Sequence, residues 1–347
     1  MKLNYKIGYK DIMSRFINQG SYGCIYSPAF PCEMPEVNPS NRISKIFKTK
    51  PLEHDFYKTY NEEKAIYDNI SPHLRSIDPH EEYFIYKYHQ CKFKKSPYIN
   101  DIIASCKDAN RNRVFKSPED RDYHWALNFS KGGLDLHNII ESLPQDRIQP
   151  YIELLKQLEH VIEGIHELNK KGIYHLDIKP GNIVIHNNVL KIIDFGLCKK
   201  LIPTNRFHEI FRSAYEYWPI ESLWLSSPEL TPNMIDTHIR NYANKPYIRR
   251  LRSTFPGANI TLSQMPLDRI YNNIDVWSFG MILYEVYKKM PNSMNILKRN
   301  LSRMINSLIS GPRQKSDDAL KMYKLYIQHI IIPPSVWVSG DDPRLRS

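Results

Sequence analysis

Two short apolar runs around a polar break mark the middle of the chain. Ile183-Val184-Ile185 comes first, His186-Asn187-Asn188 follows, and Leu190 to Ile193 closes the pattern. Apolar runs of this length bounded by turn formers predict two strands joined by a tight connection. Such a hairpin brings Asn182 and Asp194 towards one place. Upstream, Gln149 to Lys171 carries Ile152, Leu155, Leu158, Val161, Ile162, Ile165 and Leu168 at helical spacing, and Gly172 supplies a stop. Residues 55–70 and 275–283 also read as helices, the second apolar enough to be buried, and 290–337 has a helical pattern. Strands are expected over 42–47 and 83–88, and a strand, a turn and a second strand over 16–26. Alternation along 42–47 puts Ile43 and Lys45 on one face. Residues 28–41, rich in Pro and Asn, read as a loop. Residues 92–122 read as a polar, basic loop, and 231–267 as a basic insertion, either a solvated helix pair or a docking surface.

The polar residues at the ends of the hairpin suggest a chemistry. Asp177, Lys179 and Asn182 lie just before it and Asp194 just after it. Phosphoryl transfer from a nucleotide uses magnesium, which takes hard oxygen ligands such as a carboxylate and an amide carbonyl. A second carboxylate can orient a hydroxyl and accept its proton, and a lysine can offset charge on the transferred group.

The stretch His175-Leu176-Asp177-Ile178-Lys179-Pro180-Gly181-Asn182 resembles the catalytic loop of eukaryotic-type protein kinases, and Asp194-Phe195-Gly196 resembles their magnesium loop. Asp275-Val276-Trp277-Ser278-Phe279-Gly280 is similar to the family's central large-lobe helix. The resemblance implies an α+β fold with two lobes: a small β-rich lobe over 1–131 and a larger, mainly helical lobe over 132–347. It also implies ATP and Mg2+ as cofactors. Asp177 and Lys179 would be catalytic, and Asn182 and Asp194 would hold the metal. Asn18, Gly20, Ser21 and Gly23 would form the glycine-rich loop, with Asn18 where the family has its first glycine. Ile25, Ile43, Leu127 and Val184 would line the adenine, and backbone groups of Asn128 and Ser130 would bond its edge. Lys45, with Lys48 as competitor, would hold the phosphates. Glu63, with Glu62 as runner-up, would pair with that lysine. His175 and Phe195 would stack with Tyr67. Asp275 would support the catalytic loop.

Several departures carry meaning. Leu176 replaces the arginine that grips an activation-loop phosphate in the family, so activity independent of that phosphorylation is expected. The activation segment ends at either Glu221 or Glu229, with Arg346 as the candidate partner. Lys179 fits the serine/threonine pattern, so protein serine and threonine hydroxyls are the expected acceptors. A scaffold of the pseudokinase kind and a small-molecule kinase are the alternatives. The degenerate glycine loop and the insertions resemble kinases of large DNA viruses.

Composition refines this picture only slightly. With 347 residues and 41% hydrophobic content the chain can build a two-lobed core. A formal charge of +11 admits an acidic docking partner at the basic insertions, while nucleic acid is not the expected partner. No apolar run is long enough to cross a membrane and the N-terminus lacks a secretory apolar region. The five cysteines show no metal or C-x-x-C spacing, so reduced thiols are expected in a cytoplasmic setting, the host cytoplasm or the virion if the protein is viral.

Overall fold

The computed structural model describes residues 14–19, 23–33, 39–47, 56–104, 106, 123–201, 215–225, 231–255, 267–309 and 315–330. The chain divides into two compact units, residues 1–73 with 85–132 and residues 74–84 with 133–347.

In the first unit β1 (Arg15–Gln19), β2 (Gly23–Ser27), β3 (Arg42–Phe47), β4 (Tyr88–Lys94) and β5 (Tyr123–Ser130) form one antiparallel sheet in the order β1-β2-β3-β5-β4. Helix α1 (Phe56–Ile77) starts in this unit, and α2 (Pro97–Ala104) follows β4. A Cβ at Gly23 would lie 2.5 Å from the Ile46 carbonyl oxygen, so β2 and β3 approach as only glycine allows. Aromatic packing fills the interior: Phe30 stacks on Phe93 with centroids 4.6 Å apart, and Tyr67 tilts against Phe129 at 5.2 Å.

Three expectations need correction in or beside this unit. The strand expected over 83–88 is shifted, and β4 begins only at Tyr88. The apolar run Phe84-Ile85-Tyr86 is buried, but as a connection. In the second unit the Asp78 carboxylate accepts the amides of Glu82, Tyr83 and Phe84 at 2.6, 2.8 and 3.0 Å, and so supplies partners that a ladder otherwise would. Next, the stretch from residue 92 is no simple solvated loop: Lys92, Phe93 and Lys94 end β4, and 97–104 is helix. The Asn110–Arg113 cluster lies outside the described residues. Finally, four cysteines are paired, Cys24 with Cys106 and Cys32 with Cys91, with Cα atoms 5.8 and 5.1 Å apart. Separations of 82 and 59 residues leave no local spacing to read. The pairing removes the argument from thiols to a reducing compartment. Cys198 is free and buried, and burial holds its thiol well above the ordinary range.

The second unit contains α3 (Leu136–Glu141), α4 (Gln149–Lys170), β6 (Ile173–Tyr174), β7 (Ile183–His186), β8 (Val189–Ile192), β9 (Lys199–Lys200), α5 (Pro232–Ala243), α6 (Pro246–Thr254), α7 (Leu267–Lys289), α8 (Asn295–Ile309) and α9 (Ser316–Ile330). Helix α4 packs on α7 and α9, and α8 packs on α7 and α9. Six of the seven apolar α4 positions expected in the core, Leu155 to Leu168, are buried, and Ile152 is half-buried. The Tyr323 hydroxyl donates to the Leu155 carbonyl at 2.7 Å and ties α9 to α4. At Gly280 a Cβ would come within 2.7 Å of Ile309 Cγ2, so this glycine lets α8 close on α7. The insertion over 231–267 yields α5 and α6. The Tyr242 hydroxyl bonds the Trp218 carbonyl at 2.9 Å, and Phe255 packs edge-on against Tyr284, so the pair is anchored to the core rather than merely solvated. No helix of the described residues is long and apolar enough to cross a membrane.

Candidate active site

The hairpin forms as expected. β7 and β8 pair from Ile183↔Ile192 to His186↔Val189. Asn187 and Asn188 take φ of 53° and 63°, as the two-residue turns that match strand twist require, and asparagine tolerates this better than most residues. Beyond the ladder the Ile193 amide donates to the Asn182 carbonyl at 2.9 Å. The backbones that carry Asn182 and Asp194 are therefore hydrogen-bonded neighbours. Asp194 has φ 64°, a strained value for a non-glycine residue of the kind that collects at functional sites.

The preceding loop hangs from a single buried carboxylate. Asp275 on α7 is fully buried and accepts from the His175 amide at 2.9 Å, the Leu176 amide at 2.9 Å and Asn169 Nδ2 at 3.1 Å. Burial raises its pKa, and these bonds pull in the opposite direction. Leu176 sits at φ 63°, a turn those amide bonds hold. His175 is also fully buried. Its Nε2 meets the Ile193 carbonyl at 3.1 Å, while Nδ1 accepts the Asp177 amide at 3.2 Å. A carbonyl only accepts, so the ring is the neutral Nε2–H tautomer. Burial lowers its pKa and keeps it so. Phe195 packs edge-on against His175 at 5.0 Å and Phe84 at 5.7 Å.

At the loop's centre the Asp177 carboxylate gathers its neighbours. Lys179 Nζ lies 3.1 and 2.9 Å from Oδ1 and Oδ2, and Asn182 Nδ2 donates to Oδ2 at 2.8 Å and to the Asp177 carbonyl at 2.9 Å. The Tyr215 hydroxyl donates to Oδ1 at 2.5 Å. Asn182 spends its amide hydrogens on Asp177, which leaves Oδ1 as the atom that could ligate a metal. That oxygen and the Asp194 carboxylate, carried on neighbouring backbones, are hard donors of the kind that could hold magnesium, which keeps several waters and needs few protein ligands. Among the described residues no cluster of three or more His, Cys, Asp or Glu could hold a metal. Val184, buried in β7, bridges to Asp135.

The first unit places the remaining candidates on its sheet. Lys45 is buried near the end of β3, opposite Ile25 on one side and Leu127 on the other. Ile43 is opposite Phe129, and Lys45 Nζ lies 5.5 Å from the Phe47 ring centroid. On α1 Glu63 is buried and Glu62 half-buried. Asn128 stands between Ser44 and His89, its side chain accepting from Ser44 Oγ at 2.6 Å, and Ser130 ends the strand. Asn18 pairs with Ile25 beside an irregularity in β1, and its side chain accepts the Gln19 amide. Gly20, Ser21, Lys48, Glu229 and Arg346 lie outside the described residues. Glu221 is described and 2% exposed.

The comparisons with known proteins fit this geometry. The family model described as "Protein kinase domain" matches residues 86–237, a span that includes the loop over 175–182, the hairpin and Tyr215. The fold is that of a protein kinase. Its β-rich N-terminal sheet and helical C-terminal part agree with the expected α+β class. Among relatives of this kinase fold, the human "MAPK/MAK/MRK overlapping kinase" is 21% identical over 283 residues, 79% of this chain and 50% of that protein. "Mitogen-activated protein kinase 7" of Arabidopsis thaliana is 27% identical over 187 residues, 53% of this chain and 38% of that protein. "Serine/threonine-protein kinase NLK2" of Xenopus laevis reaches 35% over 97 residues, 28% of this chain and 20% of that protein. The chain spans half or less of the length of these relatives.

Two residues at the candidate site carried no local signal in the sequence. Tyr215 is one tyrosine among 23, with no spacing that links it to Asp177. Trp218 donates its Nε1 to the Leu176 carbonyl at 2.8 Å across 42 residues, a contact no local pattern announces. Leu176 itself is buried with Tyr174, Trp218, Ile270, Tyr271 and Ile274, an apolar cluster where an arginine was absent.

Proposed function

We propose that this chain is a serine/threonine protein kinase that transfers the γ-phosphate of ATP to protein hydroxyls. The observation that carries the reading is the Asp177 carboxylate, nearly buried, with Lys179 Nζ and Asn182 Nδ2 on it at 2.9 and 2.8 Å. A hydroxyl brought to that carboxylate gives up its proton there as its oxygen attacks phosphorus. Lys179 offsets the charge that develops on the phosphoryl oxygens. Asn182 Oδ1 and Asp194 would hold Mg2+, which supplies charge neutralisation of the phosphates. Asp275 and His175 keep the loop in place so that the carboxylate is prepared before substrate arrives.

The other assignments follow the same scheme. Lys45 takes the α- and β-phosphates and Glu63 steadies it. Gly20, Ser21, Gly23 and Asn18 belong to the phosphate-covering loop. Ile25, Ile43, Leu127 and Val184 contact the adenine, and the backbones of Asn128 and Ser130 bond its edge. Lys179, within D-x-K-x-x-N, supports serine/threonine acceptors. Arg249, Arg250 and Arg252 are exposed on α6 and suit an acidic segment of a protein substrate. The proposed setting is the cytoplasm, that of a host or the virion if the likeness to kinases of large DNA viruses reflects origin.

The test is magnesium-dependent transfer of label from ATP to a generic basic protein, with wild type beside Asp177→Asn and Asp194→Ala. Loss by about 10²–10⁴-fold in Asp177→Asn is expected. Transfer that survives both substitutions overturns the reading. Nucleotide binding without any transfer moves the assignment to a scaffold.

A further inference from the structure

Asp177 has no acceptor capacity left. A carboxylate offers about four lone-pair positions. Here Oδ1 meets Tyr215 Oη at 2.5 Å and Lys179 Nζ at 3.1 Å, and Oδ2 meets Lys179 Nζ at 2.9 Å and Asn182 Nδ2 at 2.8 Å. Lys179 and Asn182 belong to the same loop as the carboxylate. Tyr215 comes from elsewhere, on a stretch that is tightly held. Trp277 Nε1 donates to the Glu216 carbonyl at 3.3 Å, Ser278 Oγ to the Tyr217 carbonyl at 2.6 Å, and Trp218 Nε1 to the Leu176 carbonyl. The Tyr215 ring is half-buried, lies edge-on to Trp218 at 6.0 Å, and has Lys179 Nζ 5.7 Å from its centroid. The group presented to Asp177 is thus a hydroxyl, the functional group this site acts on.

We propose that Tyr215 is an internal mimic of the acceptor: its hydroxyl holds the acceptor's place on Asp177, and a protein substrate must displace it before transfer. This rests on the reading of Asp177 as the group that receives the acceptor's proton. Leu176 agrees with it, because the segment that carries Tyr215 is fastened by indole and hydroxyl contacts and an apolar cluster and needs no phosphate grip. Release requires only that the phenol swing off the carboxylate while residues 216–218 stay bonded.

Tyr215→Phe tests this, since it keeps the ring and removes the hydroxyl. In steady-state transfer to a generic basic protein the variant is expected to show a KM for that protein lower by about tenfold or more, the scale of one hydrogen bond to a charged group. Its kcat should not fall and its KM for ATP should be unchanged. ATP hydrolysis without acceptor should rise severalfold as water reaches Asp177. In wild type, a saturating basic peptide acceptor should speed nitration of Tyr215 by tetranitromethane, read by peptide mass mapping. A fall in kcat with unchanged acceptor KM makes Tyr215 an orienting residue and overturns the proposal, as does nitration that acceptor slows or leaves alone. Those results leave the kinase reading intact. No transfer by either protein ends that reading and this proposal with it.

Discussion

Asp275→Asn removes one charge and almost no volume, so its cost can be worked from the three bonds the carboxylate makes. Oδ2 takes the His175 amide and Asn169 Nδ2, and Oδ1 takes the Leu176 amide. An asparagine offers one oxygen and one NH2. Turned to keep the His175 and Asn169 bonds, it sets its NH2 against the Leu176 amide. Turned the other way, it loses two bonds to keep one. At least one buried donor is left facing a donor, which costs about 1–3 kcal/mol, and the surviving bonds lose their charge assistance. Part is returned because burial already raises the Asp275 pKa, so its ionised form is costly. The net expectation is about 2–4 kcal/mol, a drop in melting temperature of roughly 3–6 °C for a chain of 347 residues. The lesion falls on Leu176, held at φ 63° immediately before Asp177. Relaxation there misplaces the carboxylate, and transfer should fall about 10²-fold while ATP still binds. Calorimetry and steady-state kinetics on the same preparation read both. A variant within about 0.5 kcal/mol of wild type with full activity refutes the claim that this carboxylate holds the loop.

Other expectations follow from the same structure. Reduction of Cys24–Cys106 and Cys32–Cys91 frees loops of 82 and 59 residues, worth about 4 kcal/mol each in the chain-entropy account; a strong reductant should lower the melting temperature, and non-reducing peptide mapping should show both pairs. His124, 4% exposed and bonded to Asn100 Oδ1 at 3.0 Å, has its pKa lowered to about 4 by burial and then by Lys95. The unfolded chain therefore binds the extra proton first as pH falls below about 6.5. Stability should drop between there and pH 4 by roughly 3 kcal/mol, and His124→Gln should flatten that limb in an unfolding series. Leu176→Arg would bury a guanidinium among Tyr174, Trp218 and Ile274, and urea unfolding should show a loss of about 3 kcal/mol or more. Phosphatase treatment of wild type should leave its transfer rate unchanged.

The site was legible where its signals are local. The hairpin could be read because strand pattern and turn chemistry coincide over 183–193, and α4 because its apolar stripe is unbroken. The central helix could be recognised from its motif, and with it the place of Asp275. What escaped depends on contacts across long separations. Nothing near Cys24 announces Cys106. The run 83–86 is as apolar as a strand, and only the Asp78 carboxylate, which takes three amides there, turns it into a connection. Tyr215 reaches Asp177 because Trp277 and Ser278 fix the carbonyls of Glu216 and Tyr217, and no pattern within 215–218 encodes that.

His175 has a consequence for how the two loops keep station. Its ring presents a donor on one edge and an acceptor on the other, and both edges are committed, to the Ile193 carbonyl and to the Asp177 amide. It works as a gauge block: the width of an imidazole sets the gap between the backbone before Asp194 and the backbone of Asp177. A phenyl ring would keep the width but lose both couplings. An asparagine would keep the polarity but close the gap. A second proton would turn the accepting edge against the Asp177 amide. The spacing of the two aspartates is thus written in the dimensions of one neutral ring.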